Sequence, residues 1–133
     1  YMDGTWDFAG SGHVDENETA RQAVARESRE ELGITVDPAD AEFVHLCHRV
    51  AGGDGRTYYD MCFVIQRYQG EPAVMEPEKN AGLRWFPADA LPENISSAVE
   101  AMLSCCLAGI PYSEYFNDRP VVLNRPDQKE KAL

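Results

Sequence analysis

A cluster of three glutamates constrains the fold and chemistry of this chain more than any other feature. The three residues, at spacings i, i+3 and i+4, are Glu27, Glu30 and Glu31. These spacings place all three side chains on one face of a helix. Thr19 and Gln22 match a capping box at the start of such a helix, and Gly33 is typical of the position after its end. The sequence therefore predicts a helix over Ala20–Leu32 with an acidic face.

Two interpretations fit this acidic face. Carboxylates that share a face repel one another, and a bound divalent cation would remove that repulsion, since Mg²⁺ prefers carboxylate, water and phosphate oxygens. The alternative is a solvated face whose charge is balanced by Arg21, Arg26 and Arg29. The glutamates alone favour the solvated face, and the residues that flank them reverse that preference.

The flanking residues complete a pattern with fixed spacing over residues 12–34. In chain order its fixed positions are Gly12, Glu18, Arg26, Glu27, Glu30, Glu31, Gly33 and Ile34. This pattern resembles the Nudix box, the signature of the Nudix hydrolase family. Ser28 is the one departure, because the family prefers a hydrophobic residue there. The resemblance covers about residues 3–115, and over this range the chain is similar to small MutT-type bacterial members.

The resemblance implies a reaction, a cofactor and a set of site residues. Nudix enzymes use Mg²⁺ or Mn²⁺ to hydrolyse a nucleoside diphosphate linked to another moiety, and water attacks one phosphorus. The implied metal ligands are four carboxylates and one backbone carbonyl: Glu27, Glu30, Glu31, Glu18 and Gly12. The carbonyl of Ser11 is an alternative to that of Gly12. Glu27 is also implied to orient or deprotonate the water, and Arg26 to orient Glu27.

Several residues outside the box are candidates for the same site. Many family members take a further carboxylate from a loop after the hairpin, and Glu76 and Glu78 are the candidates here. We assign this catalytic role to Glu78, although spacing does not decide between the two. The predicted substrate-binding residues are His13, beside the metal loop, and three residues of the hairpin: Arg49, Tyr58 and Asp60. A surface or structural role is the alternative for each of these side chains.

The remaining sequence predicts an α/β fold. Alternating apolar residues predict strands over residues 34–36, 43–50, 58–68 and 83–86. Turn residues 51–56 join the second and third of these into an antiparallel hairpin. A second helix is expected to begin near Asn94 and to end at Gly109 and Pro111. The fold class is a Nudix-type α/β/α sandwich with a mixed sheet between helices, and the N-terminal strands usual in the family are expected to be missing before Trp6.

Composition limits the classes of partner and location. The 133 residues fit one domain, which we place at residues 1–116 as the Nudix hydrolase domain, followed by a polar tail at 117–133. A net charge of −11 disfavours nucleic-acid polymers but allows a small nucleotide held through metal ions. No apolar run approaches the ~18 residues of a membrane span, and no signal peptide is recognisable. The cysteines lack zinc or redox spacing, which favours a reducing cytoplasm.

Three functions are compatible with the resemblance. The small single domain favours a nucleoside triphosphate as substrate, giving monophosphate and pyrophosphate. ADP-ribose or another nucleoside diphosphate sugar is the close alternative, since substrate choice lies in loops outside the box. A binding or regulatory module without catalysis is disfavoured, because the box glutamates are all present. A homodimer is also favoured, since many family members dimerise.

Overall fold

The first helix forms where its capping residues predict it. In the computed structural model, which describes residues 4–122, α1 spans Ala20–Leu32. The Thr19 hydroxyl accepts a hydrogen bond from the Gln22 backbone N–H at 3.3 Å, and the Gln22 side chain accepts one from the Thr19 N–H at 2.8 Å. Gly33 ends the helix with a φ of 69°, a conformation that glycine adopts without strain. The predicted bounds of α1 are therefore confirmed.

Four strands form one mixed sheet. The strands β1 (Ala41–Val50) and β2 (Thr57–Ile65) make the predicted antiparallel hairpin. The strand β3 (Tyr112–Phe116) pairs parallel with the other edge of β1, and β4 (Arg119–Pro120) pairs antiparallel with β3. The resulting order is β2-β1-β3-β4. The first residues of the predicted polar tail thus belong to the sheet, and residues 123–133 lie outside the described residues.

The second helix, α2, spans Ser97–Leu107 and packs on one face of this sheet. Cys47 of β1, Met102 of α2 and Tyr115 of β3 form a buried apolar cluster. The Ser97 and Tyr115 hydroxyls lie 2.6 Å apart and hydrogen-bond the start of the helix to β3. Apolar burial and this hydrogen bond fix α2 against the sheet.

The first helix lies against the opposite face. Side chains alternate along a strand, so Met61 and Phe63 of β2 point away from Cys62, which packs towards α2. The N-terminal turn of α1 borders a cavity lined by Met61 and Phe63. Arg21 also donates from Nε to the Ala41 carbonyl at 2.9 Å. The sheet therefore lies between two helices, as the predicted sandwich requires.

Two predicted strands are absent from the described residues. In segment 34–36, only an isolated bridge joins Thr35 to Gln69. Segment 83–86 pairs with no described strand. Phe86 meets Trp6 edge to face at 5.0 Å between ring centroids. The strand prediction was wrong for both segments: Ile34 and Val36 are buried without a strand partner, and Leu83 and Trp85 are exposed.

Two element ends also differ from prediction. The strand β2 ends at Ile65 rather than at residue 68. The helix α2 begins after Ser96, and the Asn94 side chain instead donates to the Gly4 carbonyl at 2.6 Å. Asn94 therefore anchors the N-terminal segment beside α2 rather than capping the helix. Neither described helix is long and apolar enough to cross a membrane.

Candidate active site

Arg26 is the centre of the polar network around the box. Its Nη1 lies 2.8 Å from Glu27 Oε1 and 3.2 Å from Glu30 Oε2. Its Nη2 donates at 2.8 Å to Glu18 Oε1 and at 2.8 Å to the His13 carbonyl. Its Nε donates to Glu18 Oε2 at 3.0 Å. The hydrogen bonds to Glu18 and then Glu27 raise the pKa of Arg26 above its ordinary value, so the guanidinium stays charged.

This network ties the loop before α1 to the helix face. Glu18 also accepts a hydrogen bond from the Asp15 backbone N–H at 2.8 Å. The hydrogen bond from Arg26 is the main reason that the pKa of Glu18 is lowered. Each guanidinium nitrogen of Arg26 has an acceptor in this network. Arg26 therefore holds Glu27 in position through the planar fork that favours arginine over lysine at such sites.

Gly12 allows the loop to pass close to the Glu27 carboxylate. A Cβ at Gly12 would lie 2.8 Å from Glu27 Oε2, and closer still to Oε1 and Cδ. No side chain fits in that space while Glu27 keeps its position. The backbone of residue 12 and the Glu27 carboxylate thus lie side by side, as the resemblance predicts for a shared metal site.

Glu31 is a half-buried carboxylate of the box that contacts the loop before α1. Its Oε2 accepts a hydrogen bond from the Gly10 backbone N–H at 2.8 Å. Desolvation by burial is the main cause that raises the pKa of Glu31, and the negative charges of Glu27 and Glu76 raise it further. The backbone N–H groups of Gly10 and Ser11 oppose this shift. A half-buried carboxylate beside two others is a place where a cation would relieve repulsion.

The loop after β2 brings a further carboxylate to the box. The backbone N–H groups of Ala73 and Met75 donate to the Leu32 and Glu31 carbonyls, each at 3.0 Å. This tie to the last turn of α1 places Glu76 close enough for its charge to act on Glu31. Glu78 is exposed, and its negative charge helps to raise the pKa of the nearby Lys79. Glu76 is therefore the loop carboxylate whose charge reaches Glu31.

The predicted substrate residues of the hairpin form a separate polar cluster. Arg49 Nε donates to Asp60 Oδ2 at 2.7 Å, and the Arg49 guanidinium lies 4.3 Å from the centroid of the Tyr58 ring. The Asp60 contact is the main cause that raises the pKa of Arg49. His13, the fourth predicted residue, is exposed and contributes its backbone carbonyl to Arg26. The structure brings three of the four residues together, on the hairpin rather than around Arg26.

Two residues near the box were missed by sequence reasoning. Lys79 pairs with Glu76 at 3.1 Å, and Asp15 lies 3.4 Å from Arg26 Nε. The i,i+3 spacing of Glu76 and Lys79 is a signal that could have indicated their pairing. Ser28, the departure from the family pattern, is buried at 2% exposure and borders a cavity of about 190 Å³. The smaller side chain is thus accommodated in the interior.

The box residues suit a hard divalent cation although they do not yet surround one. Among residues 4–122, no group of three or more His, Cys, Asp or Glu side chains is arranged to hold a metal ion. The reason is that Arg26 engages Glu18, Glu27 and Glu30, while the Gly10 N–H engages Glu31. The donors are nevertheless carboxylate oxygens, the ligands that Mg²⁺ and Mn²⁺ take. The chemistry of this donor set therefore fits such an ion.

Known proteins with similar sequences and structures carry one family name. A family model described as the NUDIX domain matches residues 1–103. An uncharacterized Nudix hydrolase from Listeria innocua is 30% identical over 86 residues, or 65% of this chain and 48% of that protein. The chain thus spans about half the length of this curated relative. A crystal structure of a MutT NUDIX hydrolase from Burkholderia pseudomallei matches with a TM-score of 0.62 and 31% identity, covering 68% of this chain and 69% of that chain.

Proposed function

The chain belongs to the Nudix hydrolase family, and from that premise we propose that it hydrolyses a nucleoside triphosphate to monophosphate and pyrophosphate with Mg²⁺. The observation that carries the proposal is the close approach of the Glu27 carboxylate to the Gly12 backbone, with the charges of Glu27 and Glu76 both acting on Glu31. Such a site neutralises charge on a pyrophosphate group through the cation that it holds. A triphosphate is the first candidate substrate, and ADP-ribose or another nucleoside diphosphate sugar is the alternative.

The residues of the box divide the work of this reaction. Glu27, Glu30 and Glu31 would hold the metal, with Glu18 and the Gly12 carbonyl as outer or additional ligands. When bound, the ion would neutralise phosphate oxygens and lower the pKa of water. Glu27 would orient the attacking water and accept its proton, and Arg26 would keep Glu27 aimed at that water. The 2.8 Å contact between Arg26 and Glu27 supports this division.

Two glutamates of the loop after β2, Glu76 and Glu78, compete for the role of the additional carboxylate. Glu76 is supported by its electrostatic effect on Glu31 and by the backbone tie of the neighbouring Met75 to α1. Glu78, which the sequence analysis assigned, is supported only by lying on the same loop. We propose Glu76 as the residue that assists the metal or the water. A larger loss of kcat in Glu78→Gln than in Glu76→Gln would contradict this choice.

Substrate recognition is proposed for the hairpin. The half-exposed Tyr58 ring, held under Arg49 by a cation–π contact, is suited to a nucleobase or ribose. Asp60 fixes Arg49 in that position. His13 is proposed to face the substrate phosphates from the loop before α1. The net charge of −11 supports a small nucleotide rather than a nucleic-acid polymer as partner.

Location and assembly follow as further proposals. The cysteines are free thiols, which supports a reducing cytoplasm: Cys47, Cys62, Cys105 and Cys106. A homodimer is proposed from the family resemblance alone. Size-exclusion chromatography with light scattering would measure the assembly, and a mass of 14.8 kDa for this chain would contradict the dimer.

A matched pair of variants tests the catalytic role of the box. We expect Glu27→Gln to lower kcat for triphosphate hydrolysis by at least ~100-fold, because the proton acceptor and a metal ligand charge are lost. The control is Glu42→Gln, which removes one exposed carboxylate on β1 and the same unit of charge. Equal activity in the two variants would refute the assigned site. Circular dichroism of both variants would show whether the fold is intact.

A further inference from the structure

Lys79 lies beside the box glutamates. Most of its side chain is exposed, whereas the side chain of Arg26 is largely covered. Its Nζ makes an ion pair with Glu76 at 3.1 Å, and 65% of its side chain is exposed. The contact with Glu76 is the main cause that raises the pKa of Lys79, and the charges of Glu78 and Glu27 act in the same direction. Lys79 is therefore a charged ammonium within electrostatic reach of Glu27, on the solvent side of the site.

The backbone keeps Lys79 in this place. The Lys79 and Asn80 N–H groups donate to the Glu76 carbonyl at 2.9 and 3.1 Å, closing a tight turn. The Met75 N–H fixes the start of that turn to the Glu31 carbonyl. Lys79 is thus attached to the last turn of α1 through a short segment, and its long side chain can move while its Cα stays fixed.

Arg26 is unsuited to bind a substrate phosphate directly. Its nitrogens are engaged by Glu18, Glu27 and Glu30 and by the His13 carbonyl. An incoming phosphate would have to break the contacts that position Glu27. Lys79 has two further N–H donors beside its contact with Glu76, and it needs only to rotate about its side-chain bonds.

From this contrast we propose that Lys79 is a substrate-binding residue that holds the terminal, non-nucleoside phosphates of the substrate. This inference rests on the proposed function, because it concerns the same reaction. A cation bound among the carboxylates would weaken the attraction of Glu76 for Lys79 and free the ammonium for phosphate. The class of ligand is a diphosphate group, independent of the base or sugar that carries it. Lys79 acts on the phosphates as a point charge and takes no part in activating the water.

The test compares three variants by calorimetry with imidodiphosphate, a diphosphate that resists hydrolysis, at saturating Mg²⁺. We expect Lys79→Gln to bind this probe about tenfold more weakly than the wild-type chain, the loss typical of one exposed charge-assisted contact. Lys79→Arg should retain most of the affinity. The matched control is Arg67→Gln, which removes a cation that is 84% exposed and paired with Asp40. This control should bind the probe like the wild-type chain.

Two further measurements separate a role of Lys79 in phosphate binding from a structural role in the turn. Mn²⁺ titration without phosphate should be no weaker in Lys79→Gln, because a positive charge beside the carboxylates is removed. In steady-state hydrolysis, KM should rise about tenfold with kcat changed by less than about threefold. Weaker Mn²⁺ binding with unchanged imidodiphosphate affinity would mean that Lys79 only orders the turn, and would overturn the inference.

Failure of this inference can be told apart from failure of the proposed function. Hydrolysis by the wild-type chain together with unchanged probe affinity in Lys79→Gln would refute the role of Lys79 alone. Equal losses of affinity in Lys79→Gln and Arg67→Gln would also refute it, since the effect would then be one of net charge. No binding of imidodiphosphate by the wild-type chain would overturn it too. Absence of hydrolysis of every nucleotide would refute the proposed function, while the calorimetric comparison would still decide the role of Lys79.

Discussion

Replacing Gly12 by alanine separates the catalytic geometry from the stability of the fold. The added Cβ would lie 2.8 Å from Glu27 Oε2 and closer to Oε1 and Cδ. Because non-bonded heavy atoms settle at about 3.5 Å, the carboxylate would have to move by about 1 Å. A displacement of that size at a reacting centre costs about 100-fold in rate. We therefore expect Gly12→Ala to lower kcat by about two orders of magnitude.

The same change should leave the fold nearly unaffected. The atoms in conflict are the free end of the Glu27 side chain, which can adopt another rotamer at a cost of about 1 kcal/mol. Gly12 does not have the positive φ that would strain alanine. Alanine also lowers the conformational entropy of the unfolded chain, which stabilises the folded state by about 0.4–1 kcal/mol. These two terms oppose each other. The free energy of unfolding should therefore change by less than about 1 kcal/mol.

The assay measures hydrolysis and urea unfolding on the same preparations. Gly82→Ala is the matched control, because a Cβ there meets nothing within 4 Å and Gly82 has no positive φ. It should retain full activity and stability. Full activity in Gly12→Ala would refute the reasoning, since Glu27 would then not need its observed position. Loss of the folded state in Gly12→Ala would refute it equally.

Two further predictions concern buried groups. The folded-state pKa of Glu31 is raised, mainly by desolvation, so its ionised form opposes folding, and this penalty appears as pH rises above the ordinary carboxyl range. In EDTA, Glu31→Gln should therefore raise Tm at pH 7 and leave it unchanged below about pH 4, and a Tm that falls at pH 7 would contradict this. His45 is fully buried, its Nδ1 donates to the Ile110 carbonyl at 2.6 Å, and its Nε2 shares a hydrogen bond with the Ser113 hydroxyl at 2.7 Å. His45→Ala should lower the free energy of urea unfolding by about 3 kcal/mol, against almost no change for the exposed His13→Ala, and a loss under about 1 kcal/mol would contradict it.

Local signals explain why α1 and the hairpin could be predicted. The capping box of Thr19 and Gln22 and the helix end at Gly33 depend on residues that are close in sequence. The hairpin depends on two alternating segments and the turn between them. Elements whose structure depends on residues close in sequence can be predicted from local patterns alone.

Tertiary contacts explain what the sequence could not supply. Segment 83–86 was predicted as a strand, but its Phe86 packs on Trp6, which is distant in sequence. The choice between Glu76 and Glu78 depends on the hydrogen bond from Met75 to the Glu31 carbonyl, which no local pattern encodes. The box motif itself predicted which carboxylates share a face. It could not predict that Arg26 engages three of them at once.

The central claim is that this chain cleaves a pyrophosphate bond with a metal held by the box carboxylates. The most direct measurement is product release from a panel of nucleoside triphosphates, ADP-ribose and sugar nucleotides, with Mg²⁺ and then with EDTA. Hydrolysis of a triphosphate should give monophosphate and pyrophosphate in equal amounts, and EDTA should abolish turnover. Turnover that persists in EDTA, or no turnover of any nucleotide by folded, Mg²⁺-loaded protein, would contradict it.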